Sequence, residues 1–135
     1  MPSQLFQNPP ERLELNADTS QLAVLGTFVK DACQRLPRPG LPEVAVTELA
    51  ANAIRHGGAA HLSIQVAEQE GGYLLTFEDD GAPFDPTLVS LLPAGELREG
   101  GYGLLIVRRS TGHLQYRRRD HWNSLDLYYA IGDSL

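Results

Sequence analysis

The chain has 135 residues and a formal net charge of −6, with 42% hydrophobic and 21% charged residues. This length and composition fit one globular domain that can bury a core without disulfides or a structural metal, and the single cysteine, Cys33, excludes an internal disulfide. The acidic balance argues against direct nucleic-acid binding. With no signal-peptide pattern and no run of ~20 apolar residues, we expect a cytoplasmic chain without a membrane segment.

The first half of the chain predicts a strand and two helices after a disordered start at residues 1–10. In order, these elements are a strand at Arg12–Asn16, a helix from Gln21 to about Leu36, and a helix from about Leu41 to Arg55. The strand is indicated by polar–apolar alternation and the helices by apolar residues at helical spacing. Pro37 and Pro39 end the first helix, Pro42 suits the first turn of the second, and Gly57-Gly58 suits its end.

The second half predicts two hairpins and one more helix. The expected strands are His61–Ala67, Gly72–Glu78, Leu114–Arg118 and Leu125–Ala130, and the helix runs from near Gly103 through Arg109. Gly71-Gly72 and Asp120–Asn123 are the expected hairpin turns. This order predicts an α+β fold over residues 11–135: a mixed, mainly antiparallel sheet with helices on one face.

The second helix has one polar face. At about 100° per residue, this face carries a carboxylate, an amide, a guanidinium and an imidazole from Glu48, Asn52, Arg55 and His56. The opposite face is apolar and is expected to pack against the core. An ordinary solvated helix face would look the same, but Asn is a poor helix former, so a ligand-facing Asn52 would explain its place in mid-helix.

Three successive acids, Glu78, Asp79 and Asp80, end the second predicted strand of the first hairpin and lead into Gly81. Adjacent carboxylates are a poor strand end, so we expect one of them to accept a specific hydrogen bond. A carboxylate at a strand end above a cavity can accept the exocyclic amine of adenine. The alternative is a polar β-turn with Asp-Gly chemistry.

A glycine-rich stretch containing Gly100, Gly101 and Gly103 leads into the third predicted helix. Glycines allow close approach of phosphate oxygens, and the free N–H groups of a helix N-terminus favour an anion there. The spacing matches neither a Walker A loop nor a dinucleotide-binding fingerprint.

Taken in order, these segments resemble the nucleotide-binding boxes of the GHKL ATPase superfamily, which has the Bergerat fold. E-L-A-A-N-A-I-R-H-G is similar to the N box, D-D-G-A-P-F-D-P to the first glycine box, and G-G-Y-G-L-L-I-V to the second. The resemblance covers about residues 11–130. Among these ATPases, the chain is most similar to the small anti-sigma-factor serine kinases of the RsbW and SpoIIAB type.

The resemblance implies a role for each matching position. Glu48 would be the general base toward a serine hydroxyl or water, Asn52 would coordinate the Mg²⁺ that bridges the phosphates of ATP, and Asp79 would bind the adenine amine. The remaining positions that it implies around the nucleotide are Arg55, His56, Gly81, Pro83, Phe84, Arg98, Gly100, Gly101, Tyr102, Gly103, Leu104, Asn123 and Ser124. Pro83 departs from the commonest first glycine box, and Tyr102 is bulky for the second.

The resemblance implies a kinase that phosphorylates a serine of a STAS-domain anti-anti-sigma protein and sequesters a sigma factor. One alternative is a module that holds ATP or ADP and switches partners without effective phosphoryl transfer, and another is an interaction domain whose three boxes are coincidental. The presence of both Glu48 and Asn52 favours the kinase. A homodimer is implied by the family, with the first helix and the Arg12–Asn16 strand as candidate surfaces. The run Arg117-Arg118-Arg119 fits a solvated hairpin end or a docking patch.

Overall fold

The structure is a computed structural model that describes residues 9–69, 71–87 and 107–132. Its strands are β1 (Glu11–Asn16), β2 (His61–Gln69), β3 (Gly72–Asp79), β4 (His113–Arg119) and β5 (Trp122–Ala130), and its helices are α1 (Leu22–Ala32) and α2 (Gly40–Arg55). Residues Val107–Ser110 are also helical. The strands form one sheet in the order β1-β2-β3-β5-β4. Every pairing between these described strands is antiparallel, so the α+β prediction is confirmed and no parallel pair appears among them.

Helix α1 begins and ends differently from the sequence prediction. A short 3-10 helix, Thr19–Gln21, precedes it, and the Asp18 side chain accepts a hydrogen bond from Ser20 N at 3.0 Å there. The predicted helix to Leu36 was too long, because α1 stops at Ala32 and the chain turns so that Leu36 N donates to Cys33 O. Pro37 cannot donate an N–H to the carbonyl of Cys33, four residues before it, and its ring crowds that carbonyl, so the turn before Pro37 is not α-helical.

Helix α2 begins and ends close to the predicted residues and buries the predicted face. Val46, Leu49, Ala50 and Ala53 on that face are buried, and Ile54 is half-buried. After the helix, Gly58 adopts a φ of 66°, which is the left-handed conformation that glycine allows without strain. This turn directs the chain into β2.

The sheet has one face covered by helices. Strand alternation sends Leu62, Ile64, Leu75 and Leu127 to the covered face, where they join α1 and α2 in a single core with residues such as Val46. Cys33 is buried in the same core, and burial, followed by the nearby Glu11, raises its pKa to about 12, which keeps the thiol protonated.

The opposite face of the sheet is polar and carries a groove of about 1050 Å³. Arg12, Glu78, Arg117 and Ser124 are among the residues that line it. Because Glu78 and Asp79 are consecutive in a strand, their side chains point to opposite faces, so this groove is separate from the region around Asp79. None of the helices in the described ranges is both long enough and apolar enough to span a bilayer.

Candidate nucleotide site

Asp79 lies at the end of β3 on the helix-covered face and is only 8% exposed. Its Oδ1 accepts two hydrogen bonds, from Gly81 N at 2.8 Å and from Asn123 Nδ2 at 3.0 Å. Burial raises the pKa of Asp79 above the ordinary value, although these two hydrogen bonds and Arg118 act in the opposite direction. The protein therefore holds a desolvated carboxylate in one fixed orientation.

The second carboxylate oxygen of Asp79 is open. No described residue donates a hydrogen bond to Oδ2, and no buried side-chain nitrogen or oxygen atom in the described part of the chain lacks a partner. The described residues therefore leave Oδ2 available to a hydrogen-bond donor from elsewhere. An open acceptor on a fixed, desolvated carboxylate is suited to a ligand that offers a hydrogen-bond donor.

Asn123 lies beside Asp79 because β3 and β5 pair with these two residues directly opposite each other. The predicted hairpin turn, Asp120–Asn123, was too long: β5 begins at Trp122, and the turn is Asp120-His121 with φ 55° at Asp120. An aspartate tolerates this left-handed geometry, which permits a two-residue connection. The shorter turn places Asn123 inside the sheet, where it is 6% exposed.

Ser124, the neighbour of Asn123, points to the other face. It is opposite Glu78 in the β3–β5 pairing and accepts a hydrogen bond from Arg117 there. Of the two predicted β5 positions, Asn123 is the one beside Asp79.

The turn that follows β3 is anchored to the end of α2. Ala82 N donates to the carbonyl of Gly57 at 2.9 Å. A Cβ atom on Gly81 would lie 2.8 Å from that same carbonyl oxygen and 3.0 Å from Asp79 Oδ1, so glycine is required here. Pro83 and Phe84, which follow, are exposed, and Phe84 N donates weakly to Asn123 Oδ1 at 3.4 Å.

The Asp80 side chain bonds residues at the start of β2. Its Oδ1 accepts from Ala60 N at 2.7 Å and from His61 N at 2.9 Å, and its Oδ2 contacts His61 Nδ1 at 2.8 Å. Partial burial acts to raise the pKa of Asp80, but these hydrogen bonds outweigh it and the pKa is lowered. Of the three adjacent acids, Asp80 connects strands and Asp79 keeps an oxygen open.

The polar face of α2 leads toward this turn. Glu48 and Asn52 are half-buried, whereas Arg55 and His56 are exposed. Gly57 N donates to the backbone carbonyl of Asn52, and Gly57 O in turn accepts from the turn after β3. One series of backbone hydrogen bonds thus links the Asn52 region of α2 to the residues around Asp79.

The oxygens of Glu48 and Asn52 are compatible with a magnesium ion that also binds phosphates. Within the described ranges neither side chain has a hydrogen-bonding partner, and no cluster of three His, Cys, Asp or Glu side chains could hold a metal alone. Mg²⁺ prefers oxygen ligands and commonly uses one or two protein groups together with substrate phosphates and water. The donor set therefore fits a metal that arrives with the nucleotide.

Several predicted nucleotide contacts lie outside the described residues. These are Arg98, Gly100, Gly101, Tyr102, Gly103 and Leu104. The third predicted helix, near Gly103 to Arg109, is described only from Val107, and Val107–Ser110 is helical. Phosphate binding by the glycine stretch stays a prediction.

Sequence reasoning missed two residues that touch the Asp79 region. Arg118 NH1 donates to Gly81 O at 2.8 Å and to Asn123 Oδ1 at 3.1 Å, and Tyr116 OH donates to the same Asn123 oxygen. The alternation of β4 could have separated Arg118 from Arg117, which bonds Asp126 on the other face. It could not have identified the partners, because these contacts depend on the pairing of β4 with β5.

Two comparisons with known proteins agree with this architecture. The sequence profile of the histidine kinase-like ATPase domain matches residues 15–129. The chain is also similar to the serine/threonine-protein kinase BtrW of Bordetella bronchiseptica, with 29% identity over 131 residues that covers 82% of this chain and 91% of that protein. The profile match includes α1, α2 and all of β2, β3 and β4, and with them Glu48, Asn52, Asp79 and Asn123. The chain therefore belongs to the histidine kinase-like ATPase domain family.

Proposed function

We propose that this chain binds Mg²⁺-ATP and transfers the γ-phosphate to a serine of a STAS-domain anti-anti-sigma protein, and that it sequesters a sigma factor in a partner-switching pathway. The observation that carries the ATP part of the proposal is the Asp79 carboxylate, which is held through Oδ1 while no described residue donates to Oδ2. The serine kinase part is supported by the name of the similar Bordetella protein, a serine/threonine-protein kinase.

Adenine recognition follows from the single open oxygen. The exocyclic amine of adenine is a donor, and the Asp79 Oδ2 atom is an acceptor in a mostly buried site, where charge-assisted hydrogen bonds are strong. A base with a carbonyl at that position would set two acceptors against each other. The site is therefore expected to prefer ATP and ADP over nucleotides with a 6-oxo group.

Phosphoryl transfer asks mainly for positioning and charge neutralisation. Asn52 would ligate Mg²⁺, which supplies positive charge between the phosphates when it is bound. Glu48 lies one helical turn away on the same face and is suited to take the proton of the serine hydroxyl. The serine oxygen would then form the bond to the γ-phosphorus, and ADP would leave. Arg98 and the glycines of the second glycine box are the proposed phosphate contacts.

Calorimetric titration of Mg²⁺-ATP tests the nucleotide site. We expect the unmodified chain to bind ATP and ADP, Asp79→Asn to lose both, and Asn52→Ala to lose mainly the part of the affinity that depends on Mg²⁺. In Asp79→Asn the side-chain oxygen can still accept from Gly81 N and Asn123. A loss of nucleotide affinity would therefore mean that the side-chain NH2 group, a donor, now faces the amine of adenine. No heat and no thermal protection of the unmodified chain at millimolar nucleotide would reject the proposal.

Phosphoserine formation tests the chemistry. STAS-domain proteins encoded near this chain would be incubated with it and Mg²⁺-ATP, and phosphate on serine would be measured by mass spectrometry. We expect Glu48→Gln to bind ATP normally and to slow phosphorylation by about 10²-fold or more. Tight ATP binding without phosphoserine on any partner would instead favour a module that switches partners without transfer.

A further inference from the structure

We propose that Asn123 and Arg118 are positioning residues of the nucleotide site, which set its preference for a base with an amino donor by fixing how Asp79 and the Gly81 turn face the ligand. This inference rests on the proposed ATP site. The sequence placed Asn123 at the nucleotide and Arg118 in a run that fits a solvated hairpin end or a docking patch, and both residues now take a supporting role.

The Asn123 amide is fully used within the protein. Its Nδ2 donates to Asp79 Oδ1 at 3.0 Å and to Ala82 O at 2.9 Å, with Gly81 O at 3.4 Å. Its Oδ1 accepts from Arg118 NH1 and from Tyr116 OH. An amide nitrogen has two hydrogens to donate and an amide oxygen has two lone pairs, so no strong hydrogen bond remains for a nucleotide.

The surrounding groups also fix which amide atom is which. Arg118 can only donate, and the Ala82 carbonyl can only accept. The oxygen must therefore face Arg118 and the nitrogen must face Asp79. As a result, the Asp79 atom nearest Asn123 is occupied by a donor, and Oδ2 is the atom left for a base.

Arg118 holds the same turn from the edge of the sheet. Its NH1 donates to Gly81 O at 2.8 Å, and it reaches over from β4, which pairs with β5. Hydrogen bonds with a charged donor are stronger than neutral ones. Arg118 thereby fixes the backbone of the residue whose N–H holds Asp79 Oδ1.

The other two arginines of the run provide matched controls. Arg117 pairs with Asp126 at 2.9 Å on the polar face of the sheet. Arg119 is exposed, pairs in register with Trp122, and has no bond to the turn after β3 among the described residues. The three arginines therefore carry the same charge on the same strand but make different contacts, and Arg119 is the control for Arg118.

The test compares the dissociation constants of ATP and inosine triphosphate, with Mg²⁺, for the full chain and its variants. Inosine carries a carbonyl where adenine carries the amine. We expect Arg118→Met to weaken ATP by about 5- to 10-fold and to lower the ratio of the inosine triphosphate to ATP dissociation constants by threefold or more. Arg118→Lys, which keeps a donor, should restore part of that ratio, and Arg119→Met should match the unmodified chain.

Tyr116→Phe is a second and milder variant, because it removes one donor to Asn123 and keeps the ring. It should lower the same ratio without a large shift in melting temperature. If Arg118→Met and Tyr116→Phe both bind and discriminate like the unmodified chain, the positioning role is wrong while the ATP site stands. If the unmodified chain binds neither nucleotide, the ATP site fails and this inference falls with it.

Discussion

At the proposed base end of the site, where adenine would bind, Asp79, Asn123 and Arg118 are held by hydrogen bonds to one another and to the turn after β3. At the proposed phosphate end, Glu48 and Asn52 share one face of α2, and no described residue bonds their side chains. The base end is therefore built by the protein before a ligand arrives. The phosphate end is expected to become ordered by the metal and the phosphates.

This difference assigns separate tasks to the two ends. In the proposed site, a preformed base end would lower the entropic cost of recognising adenine, and the oxygens of Glu48 and Asn52, which no described residue bonds, would be left for a metal and a serine hydroxyl. It follows that removing the residue that joins these bonds, Asn123, should lower the stability of the free protein, and removing the Asn52 side chain should not.

The largest expected effect is the contrast between Asn123→Ala and Asn52→Ala. Asn123→Ala removes the partner of Asp79, Arg118 and Tyr116 in a buried setting, and should lower the free energy of unfolding by about 2–4 kcal/mol. Asn52→Ala removes a half-buried side chain from a helix and should leave that free energy unchanged or raise it by ~0.5 kcal/mol, since alanine is the better helix former.

Urea unfolding of both variants without nucleotide measures this contrast. Equal destabilisation by the two substitutions would show that the phosphate end is as preorganised as the base end, and the comparison would be wrong.

Gly81→Ala should have the next largest effect. The added Cβ would lie 2.8 Å from Gly57 O, so the turn after β3 and the end of α2 must separate. Overpacking of this kind costs about 1–3 kcal/mol, and nucleotide affinity should fall with it because Gly81 N holds Asp79. Gly112→Ala is the matched control, because its nearest neighbour would be 3.8 Å away, and its cost should stay within ~0.5 kcal/mol. Thermal unfolding with and without Mg²⁺-ATP separates the two.

The local part of this architecture could be predicted from the sequence. Alternation and helical spacing located β1, β2, β3 and α2 to within two residues, and the acids before Gly81 marked a special strand end. These signals depend on neighbours along the chain. The predicted helix to Leu36 was wrong because Pro37 removes the helical hydrogen bond to the carbonyl of Cys33, four residues before it.

The contact between Asp79 and Asn123 could not be predicted, because it depends on pairing between distant strands, whereas the bond from Gly81 N is local and fits the Asp-Gly turn alternative. Asn123 is 44 positions from Asp79, and a two-residue turn at Asp120-His121 decides that it, and not Ser124, faces the carboxylate. A turn one residue longer would have reversed the faces of these side chains. The roles of Glu48, Asn52 and Asp79 toward a nucleotide stay predictions.

Asp79→Asn is expected to have a small effect on stability beside its large effect on binding. The pKa of Asp79 is raised in the folded chain. The contribution of this carboxyl group to the free energy of unfolding is therefore complete below the ordinary carboxyl pKa and is lost as the pH rises through the folded pKa. The variant should therefore equal or exceed the unmodified chain in stability at neutral pH, by up to ~1 kcal/mol, and lose this advantage on acidification. Denaturant unfolding from pH 7 downward measures the difference. A clear loss of stability at neutral pH would mean that Oδ2 has a structural partner.

His61→Ala should have the smallest effect and should separate Asp80 from Asp79. The His61 side chain is 62% exposed, and exposed pairs contribute about 0.5 kcal/mol or less, while the hydrogen bonds from the backbone of Ala60 and residue 61 to Asp80 remain. The pKa of Asp80 is lowered in the folded chain. The contribution of Asp80 to the free energy of unfolding is therefore present above the ordinary carboxyl pKa and is lost as the pH falls through the folded pKa. Without the imidazole that loss should begin at a higher pH, and ATP affinity at neutral pH should not change. A fall in the ATP affinity of His61→Ala by more than about threefold would place Asp80 in the nucleotide site. A residue that only connects strands does not contact the ligand, so a change at that residue should leave the affinity unaltered.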